Sequence, residues 1–245
     1  MNDYRAHIYA NYVAVADELA VPKSVQDFAP RLPSLNYVIQ HFFPENKNAK
    51  ILDLGCGHGA LVYAAQLAGY QNVKGIDVSQ QQVELAHKLG INSVTEGDLM
   101  KALNQAEPAS YDAIISFDVI EHFKPDELLA FVAAVFKALK AGGRWIIHTP
   151  NAESPFVGAI RYGDFTHCLA FTRGSLQQLL MTMGFNKVEC FECAPIRHGF
   201  KSSVRWFLWR LIHNFWRFYT AVETGDTAAK AVFTRNLYCV AYKRS

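Results

Sequence analysis

Two hydrophobic rhythms alternate along the first 150 residues. Short solid apolar runs, AKILDL (49–54), YDAIISFD (111–118) and RWIIHTP (144–150), are too short for helices and too apolar for half-exposed strands. They predict strands buried on both faces. NVKGID (72–77) and INSVTEGD (91–98) predict two more. Between them GALVYAAQLAGY (59–70), SQQQVELAHKLG (79–90) and KPDELLAFVAAVFKALKAGG (124–143) carry helical spacing, with stops near Gly69, at Gly90 and at Gly142–Gly143 and with Ser79 as an N-cap. Strands alternating with helices predict βαβ units and a parallel sheet covered on both faces. Residues 1–45 read as helical and irregular, with one helix in LPSLNYVIQHFFP between Pro33 and Pro44.

After Pro150 the rhythm breaks. NAESPFVGAIRYGDFTHCLAF (151–171) reads as a polar, aromatic-rich loop, TRGSLQQLLMTMGF (172–185) as a helix capped by Thr172, and NKVECFECAP (186–195) as a strand. A basic aromatic segment follows at 197–222, then a last strand within KAVFTRNLYCVAYKRS (230–245). No repeat or low-complexity linker divides the 245 residues. The expected organisation is a single domain: a helical cap over 1–47, a core over 48–150, and an acceptor-side part over 151–245.

Composition adds few constraints. With 51% hydrophobic residues a full core is within reach, and a net charge of +2 singles out no partner. The five cysteines form no even framework. Cys190 and Cys193 make a C-x-x-C on a strand, where residues three apart face opposite sides, which suits neither a redox pair nor half a metal site. The cysteines are expected to be reduced and the chain cytoplasmic, without a metal. MNDYRAHIYA has no apolar centre and reads as no signal peptide, and no uninterrupted apolar run reaches the length a membrane span needs.

The chemistry begins at ILDLGCGHG (51–59). Glycines turn the chain sharply and let a ligand approach the backbone, and the turn leads to a helix N-terminus whose free N–H groups favour anionic ligand groups. Gly55, Gly57 and Gly59 are spaced G-x-G-x-G, which is not the G-x-G-x-x-G of dinucleotide enzymes. Asp77 ends the second strand, where a carboxylate accepts from both hydroxyls of a ribose. Asp98 ends the third, within reach of an adenine amino group.

Together these residues resemble class I S-adenosylmethionine-dependent methyltransferases, with LDLGCGHG as first motif and YDAIISFDVIEHF as fourth-strand motif. The resemblance implies a Rossmann-like α/β fold: a seven-stranded, mostly parallel sheet with an antiparallel last strand, which NLYCVAYKR supplies, and helices on both faces. It implies S-adenosylmethionine as cofactor, held by Asp53, Gly55, Cys56, Gly57, Gly59, Asp77, Val78, Asp98, Leu99 and Phe117.

Methyl transfer from a sulfonium is an in-line displacement, so the protein must align the reactants and accept a proton if the acceptor is a hydroxyl. His58 is expected to cover the cofactor. Of the remaining candidates, His167 ranks first as base, because Arg161, Tyr162, Asp164 and Thr166 share its loop. Such a concentration of polar groups needs either a polar ligand or each other. His122 is the second candidate, with Asp164 beside it; His148 and Asn151 are expected to line the acceptor pocket. The pattern HTPN…RYGDFTH…FT…SL…LL…GF resembles bacterial methyltransferases of polysaccharide and lipopolysaccharide assembly, and so implies a saccharide or lipid-linked acceptor. A quinone-precursor O-methyltransferase is the first rival, favoured by an aromatic acceptor pocket. A cofactor-binding module without turnover is the second. No N-P-P-Y-type segment follows the fourth strand, which disfavours amino methylation of adenine in nucleic acid, and the few basic groups of a nearly neutral chain disfavour nucleic acid as a partner.

Segment 197–222 holds five basic residues and no acid. Phe200, Val204, Phe207, Leu211, Phe215 and Phe218 recur at helical spacing and are expected to pack on the domain, leaving Trp206, Trp209 and Trp216 outside among arginines. That mixture fits a peripheral membrane contact on the inner face or a lipid-linked substrate; a homodimer interface or a lid is the alternative.

Overall fold

A computed structural model describes residues 4–10, 21–227 and 229–245. Expectations for 1–3 and 11–20 lie outside the described residues. Helix α1 (Tyr4–Ala10), a 3₁₀ turn (Val25–Phe28) and α2 (Leu32–Phe42) precede β1 (Ile51–Leu54), α3 (Ala60–Leu67), β2 (Val73–Asp77), α4 (Gln80–Lys88), β3 (Val94–Glu96), α5 (Leu99–Gln105) and β4 (Tyr111–Phe117). A second 3₁₀ turn (Ile120–His122) leads to α6 (Pro125–Ala138), β5 (Leu139–Pro150), α7 (Val157–Arg161), α8 (Arg173–Thr182), β6 (Lys187–Glu192), α9 (Phe200–Thr224) and β7 (Asn236–Tyr242).

The seven strands form one sheet in the order β3-β2-β1-β4-β5-β7-β6, with β7 antiparallel to both neighbours and the first five mutually parallel. Each central strand feeds two cores. Ile51, Ile115 and Ile146 face α2, α3 and α4, whereas Leu52, Ile114 and Ile147 face α5, α6 and α8 with Phe131, Trp145 and Leu180. This two-sided burial explains why the strand runs show no polar alternation. The order reverses between β1 and β4, and ligands of open parallel sheets sit at the carboxyl ends beside such a reversal.

Several local expectations need correction. Helix α6 stops at Ala138, not Gly143: Leu139 already pairs with Tyr111, and the chain bulges before Arg144 pairs with Ala113. Gly142 (φ 71°) permits that bulge. Two short helices, α5 and α7, were not legible in the sequence. Ser79 starts α4, but its hydroxyl is buried without a partner and caps nothing. Thr172 does cap α8, its Oγ1 accepting from Ser175 N at 3.0 Å.

Helix α9 is reversed relative to expectation. Its apolar stripe is exposed, from 41% at Val204 to 85% at Phe200, and the tryptophans face the domain. An indole is a large apolar body with one donor that must be met. Trp209 Nε1 donates to Glu192 at 3.1 Å, and Trp206 lies between the guanidinium groups of Arg197 and Arg210.

Candidate active site

A cavity of about 1430 Å³ opens at the carboxyl ends of β1, β2, β4 and β5. The glycines of its loop all have positive φ (74°, 54° and 79° at Gly55, Gly57 and Gly59), yet for different reasons. A Cβ on Gly55 would meet Val119 at 2.5 Å and one on Gly59 would meet Val94 at 2.8 Å, whereas one on Gly57 meets nothing nearer than Gln82 at 3.8 Å. The outer two serve packing; the middle one leaves room for a ligand.

Asp77 organises the loop. Its Oδ2 accepts from Gly57 N at 2.7 Å and its Oδ1 from Ser79 N at 2.9 Å, which leaves a lone pair on each oxygen for a ligand hydroxyl. Burial outweighs these two bonds and raises its carboxyl above the usual range. Asp53 is buried beside it with Oδ1 unpartnered; burial, then the Asp77 charge, pushes its carboxyl up to about 7. An orphaned carboxylate oxygen in a ligand-sized cavity is matched by a cationic group. Asp98 lies across the opening, with Oδ1 capping α5 through Lys101 N at 2.8 Å. Cys56, Val78, Leu99 and Phe117 line the same cavity, and His58, stacked on Phe28, closes one side. Gly59 is at the N-cap of α3, outside the lining.

The opposite end is built on the turn after β4. Asp118 adopts φ 54°, unusual for a residue with a side chain. Its Oδ1 meets His148 Nδ1 at 2.8 Å, and its backbone N donates to His148 O at 2.9 Å. Burial works against both charges, but their attraction wins: Asp118 is held below, and His148 well above, its ordinary range. His122, on the 3₁₀ turn, behaves in the other sense. Burial, then the charge of His167 4.7 Å away ring to ring, pulls it down to about 4. Its Nδ1 lies 2.8 Å from Thr166 Oγ1, whose hydroxyl donates to Asp164 Oδ1 at 2.6 Å. Because Thr166 has one hydrogen and gives it to Asp164, His122 Nδ1 carries its own proton, and Nε2 is left as an acceptor. Tyr9 packs edge-on to His122, and Arg5 binds both oxygens of Glu127 at 2.8 Å while also donating to His122 O at 3.0 Å. Helix α1 is thereby clamped over this end.

His122 and His148 line the cavity; Asp164, Thr166, His167, Arg161, Tyr162 and Asn151 do not. Arg161 spends its guanidinium on the carbonyls of His167 and Cys168. Tyr162 is 80% exposed beneath it. Asn151 donates to Val232 O and Thr234 O and accepts from Glu153 N, pinning the chain ahead of β7. The polar loop therefore satisfies itself, and it reaches the cavity through Thr166 and His122.

Residues 27–190 match the family model described as a methyltransferase domain. The chain belongs to that family. This methyltransferase is 36% identical over 106 residues to a ubiquinone biosynthesis O-methyltransferase of Idiomarina loihiensis, covering 42% of each chain. It is 31% identical over 134 residues to the protein of that name from Neisseria meningitidis, covering 53% of this chain and 54% of the relative. The chain thus spans about half the length of the curated relatives it matches. Among solved structures, a methyltransferase of Archaeoglobus fulgidus superposes with a TM-score of 0.66 at 19% identity, over 88% of this chain and 94% of the other. One of Thermotoga maritima, described as a possible histamine N-methyltransferase, gives 0.63 at 16%, over 97% and 99%. These two establish the fold alone.

The methyltransferase uses S-adenosylmethionine, and its cavity fits that molecule on structural grounds. Asp77 has two free lone pairs for a ribose, Gly57 leaves space for backbone approach, and the unpartnered Asp53 oxygen suits the ammonium of the methionyl part. Among the described residues, the one group arranged to hold a metal is Glu121, His122 and His167, whose ligand atoms lie within 4.8 Å of one another.

Glu121 itself is fully buried, with Oε2 accepting from Thr149 at 3.0 Å and Oε1 unpartnered. Burial, then the charge of Asp118, raises its carboxyl to about 8. The folded methyltransferase therefore holds a proton that the unfolded chain gives up near the ordinary glutamate value. That contribution is fully present below the unfolded pKa and disappears as pH rises toward 8. Glu121→Gln, a neutral isostere, is expected to raise the melting free energy by a few kcal/mol above pH 8 and to change little near pH 4. Thermal melts across that range check it; destabilisation at high pH would mean that a charged Glu121 is needed.

Sequence reasoning missed Arg5, Tyr9, Asp118 and Tyr238 as cavity residues. Only Asp118 had a local signal, its place between the fourth strand and Glu121–His122.

Proposed function

We propose that this protein is an O-methyltransferase acting on a phenolic hydroxyl of an aromatic acceptor. The observation that carries this reading is the wall at the acceptor end: Tyr9, Phe117, Phe123 and Tyr238 surround His122 and His148, and the polar loop stays outside. Aromatic lining is the feature that separates a quinone-precursor acceptor from a saccharide, and the partial relatives named for ubiquinone biosynthesis support the same class. Nothing in the cavity favours the saccharide.

S-adenosylmethionine supplies a methyl group already activated on a sulfonium. The chain's own residues then have three tasks. Asp53, Asp77 and the Gly57 backbone would hold the donor by its ammonium and ribose at one end of the cavity. The aromatic walls and the clamped α1 exclude water and orient the acceptor ring. His122 Nε2 would take the hydroxyl proton while the methyl carbon exchanges its bond to the sulfonium sulfur, which leaves as a neutral thioether, for one to the acceptor oxygen, and Thr166 with Asp164 would stabilise the resulting imidazolium through Nδ1–H. The cation at His148, held by Asp118, lines the same end of the cavity and would lower the cost of negative charge on the acceptor oxygen.

Incubation with methyl-labelled cofactor and a panel of catechols, amines and glycans tests the reading. Label is expected in an aryl methyl ether. Label in an amine or a glycan would overturn it.

A further inference from the structure

The outward face of α9 belongs to no part of the site. This helix of 25 residues extends about 37 Å; Trp209 and His213 meet Glu192 and Phe233 of the body, and Ser202, Trp206, Trp216 and Thr220, the less exposed residues, continue that side at spacings of three and four. Directly opposite, Phe200, Val204, Phe207, Leu211, Phe215 and Phe218 form a continuous stripe, each between 41% and 85% exposed. A folded chain leaves such a patch open when something covers it. At 100° per residue, Lys201 and Arg205 fall along one edge of the stripe, and Arg210 and Arg217 along the other, Arg210 packed on Trp206 and Arg217 Nε donating to Thr227 O at 3.2 Å. No acid occurs between Glu192 and Glu223.

The geometry points to the surface of an anionic lipid bilayer as the occupant. An apolar stripe bordered on both sides by long cations is the arrangement that lets rings enter the acyl boundary while basic heads remain among lipid phosphates. A second copy of this chain would set four cations against a single acid, Glu223, which lies at the far end of α9 in line with Arg205. Among the described residues no helix is long and apolar enough to cross a membrane, so the contact is along the plane of the surface. Arg197, His198 and Trp206, at the root of α9, wall a second cavity of about 670 Å³ that shares Ser34 and Tyr238 with the first. This inference stands whether the acceptor is phenolic or not.

Co-sedimentation of the full chain with phosphatidylglycerol-containing vesicles, against pure phosphatidylcholine, is the test. Binding is expected to the anionic vesicles at low salt, at least tenfold weaker to neutral ones, and reduced at high salt. Phe207→Ser/Leu211→Ser/Phe215→Ser should abolish sedimentation, and Lys201→Glu/Arg205→Glu should weaken it about tenfold. Both variants should keep wild-type cofactor affinity, which shows that the domain is folded. Failure to bind anionic vesicles overturns the inference, as does equal binding to neutral ones. So does a concentration-dependent dimer that the triple serine variant dissociates.

Discussion

Asp77→Ala is expected to weaken S-adenosylmethionine binding about 10- to 100-fold, measured by calorimetry, with little change in melting temperature. Two hydrogen bonds to a ribose are lost, on the order of 1–3 kcal/mol together. A second loss adds to it. Asp77 is the acceptor for Gly57 N and Ser79 N, so the alanine variant frees the glycine loop at the place where the ligand must meet backbone. The two losses are separable. Asp77→Asn retains one carbonyl oxygen and one side of the loop, and should recover part of the affinity. Removing Asp77 also relieves Asp53 of a neighbouring charge, so the pH dependence of binding near 7 should move downward in the variant. Stability is nearly spared because Asp77 is an acid whose burial already costs about as much as its two backbone bonds return. Unchanged affinity in Asp77→Ala would remove the cofactor site from this loop.

The half of the cavity built on the glycine loop was legible in the sequence because its determinants are local. Gly55, Gly57 and Gly59 declare a turn by residue type, and Asp77 and Asp98 declare themselves by standing at strand ends. Even so, residue type could not divide the glycines into two that serve packing and one that opens to the ligand, since Val119 and Val94 approach from distant elements. The acceptor half was less legible. His122 and Thr166 are 44 residues apart and meet only after β5 and α7 have been placed. Arg5 reaches Glu127 across 122 residues. For α9 the periodicity was correct and the facing was not. A 3.6-residue repeat defines two faces, and hydrophobicity alone assigns the apolar one to the core. Here the Trp209 indole donor and Glu192 decided otherwise, and a glutamate on β6 gives no sign of this in the primary structure.

His122→Ala is expected to lower turnover about 10²- to 10⁴-fold, with cofactor affinity unchanged. An imidazole pulled down to about 4 is a weak base toward a free phenol, whose proton leaves near pH 10. It is nevertheless adequate in the displacement itself, because the hydroxyl proton becomes strongly acidic as the oxygen gains its new carbon. What the reaction requires is a neutral nitrogen, positioned and dry, at the working pH. The depressed pKa secures that: Nε2 is unprotonated from neutral pH down to the region of 4, so kcat at saturating cofactor in the wild type should be level over that interval and fall only below it. His148 predicts the opposite profile. Held as a cation by Asp118, it would become a base only as pH rises past its raised pKa, and activity would climb through alkaline pH. Thr166→Val adds a further distinction. It breaks the connection from His122 Nδ1 to Asp164 without touching the cavity, and should lower kcat about tenfold while leaving KM in place. A His122→Ala enzyme of full activity with an alkaline rise would transfer the role of base to His148 and leave the Thr166–Asp164 chain a structural tie.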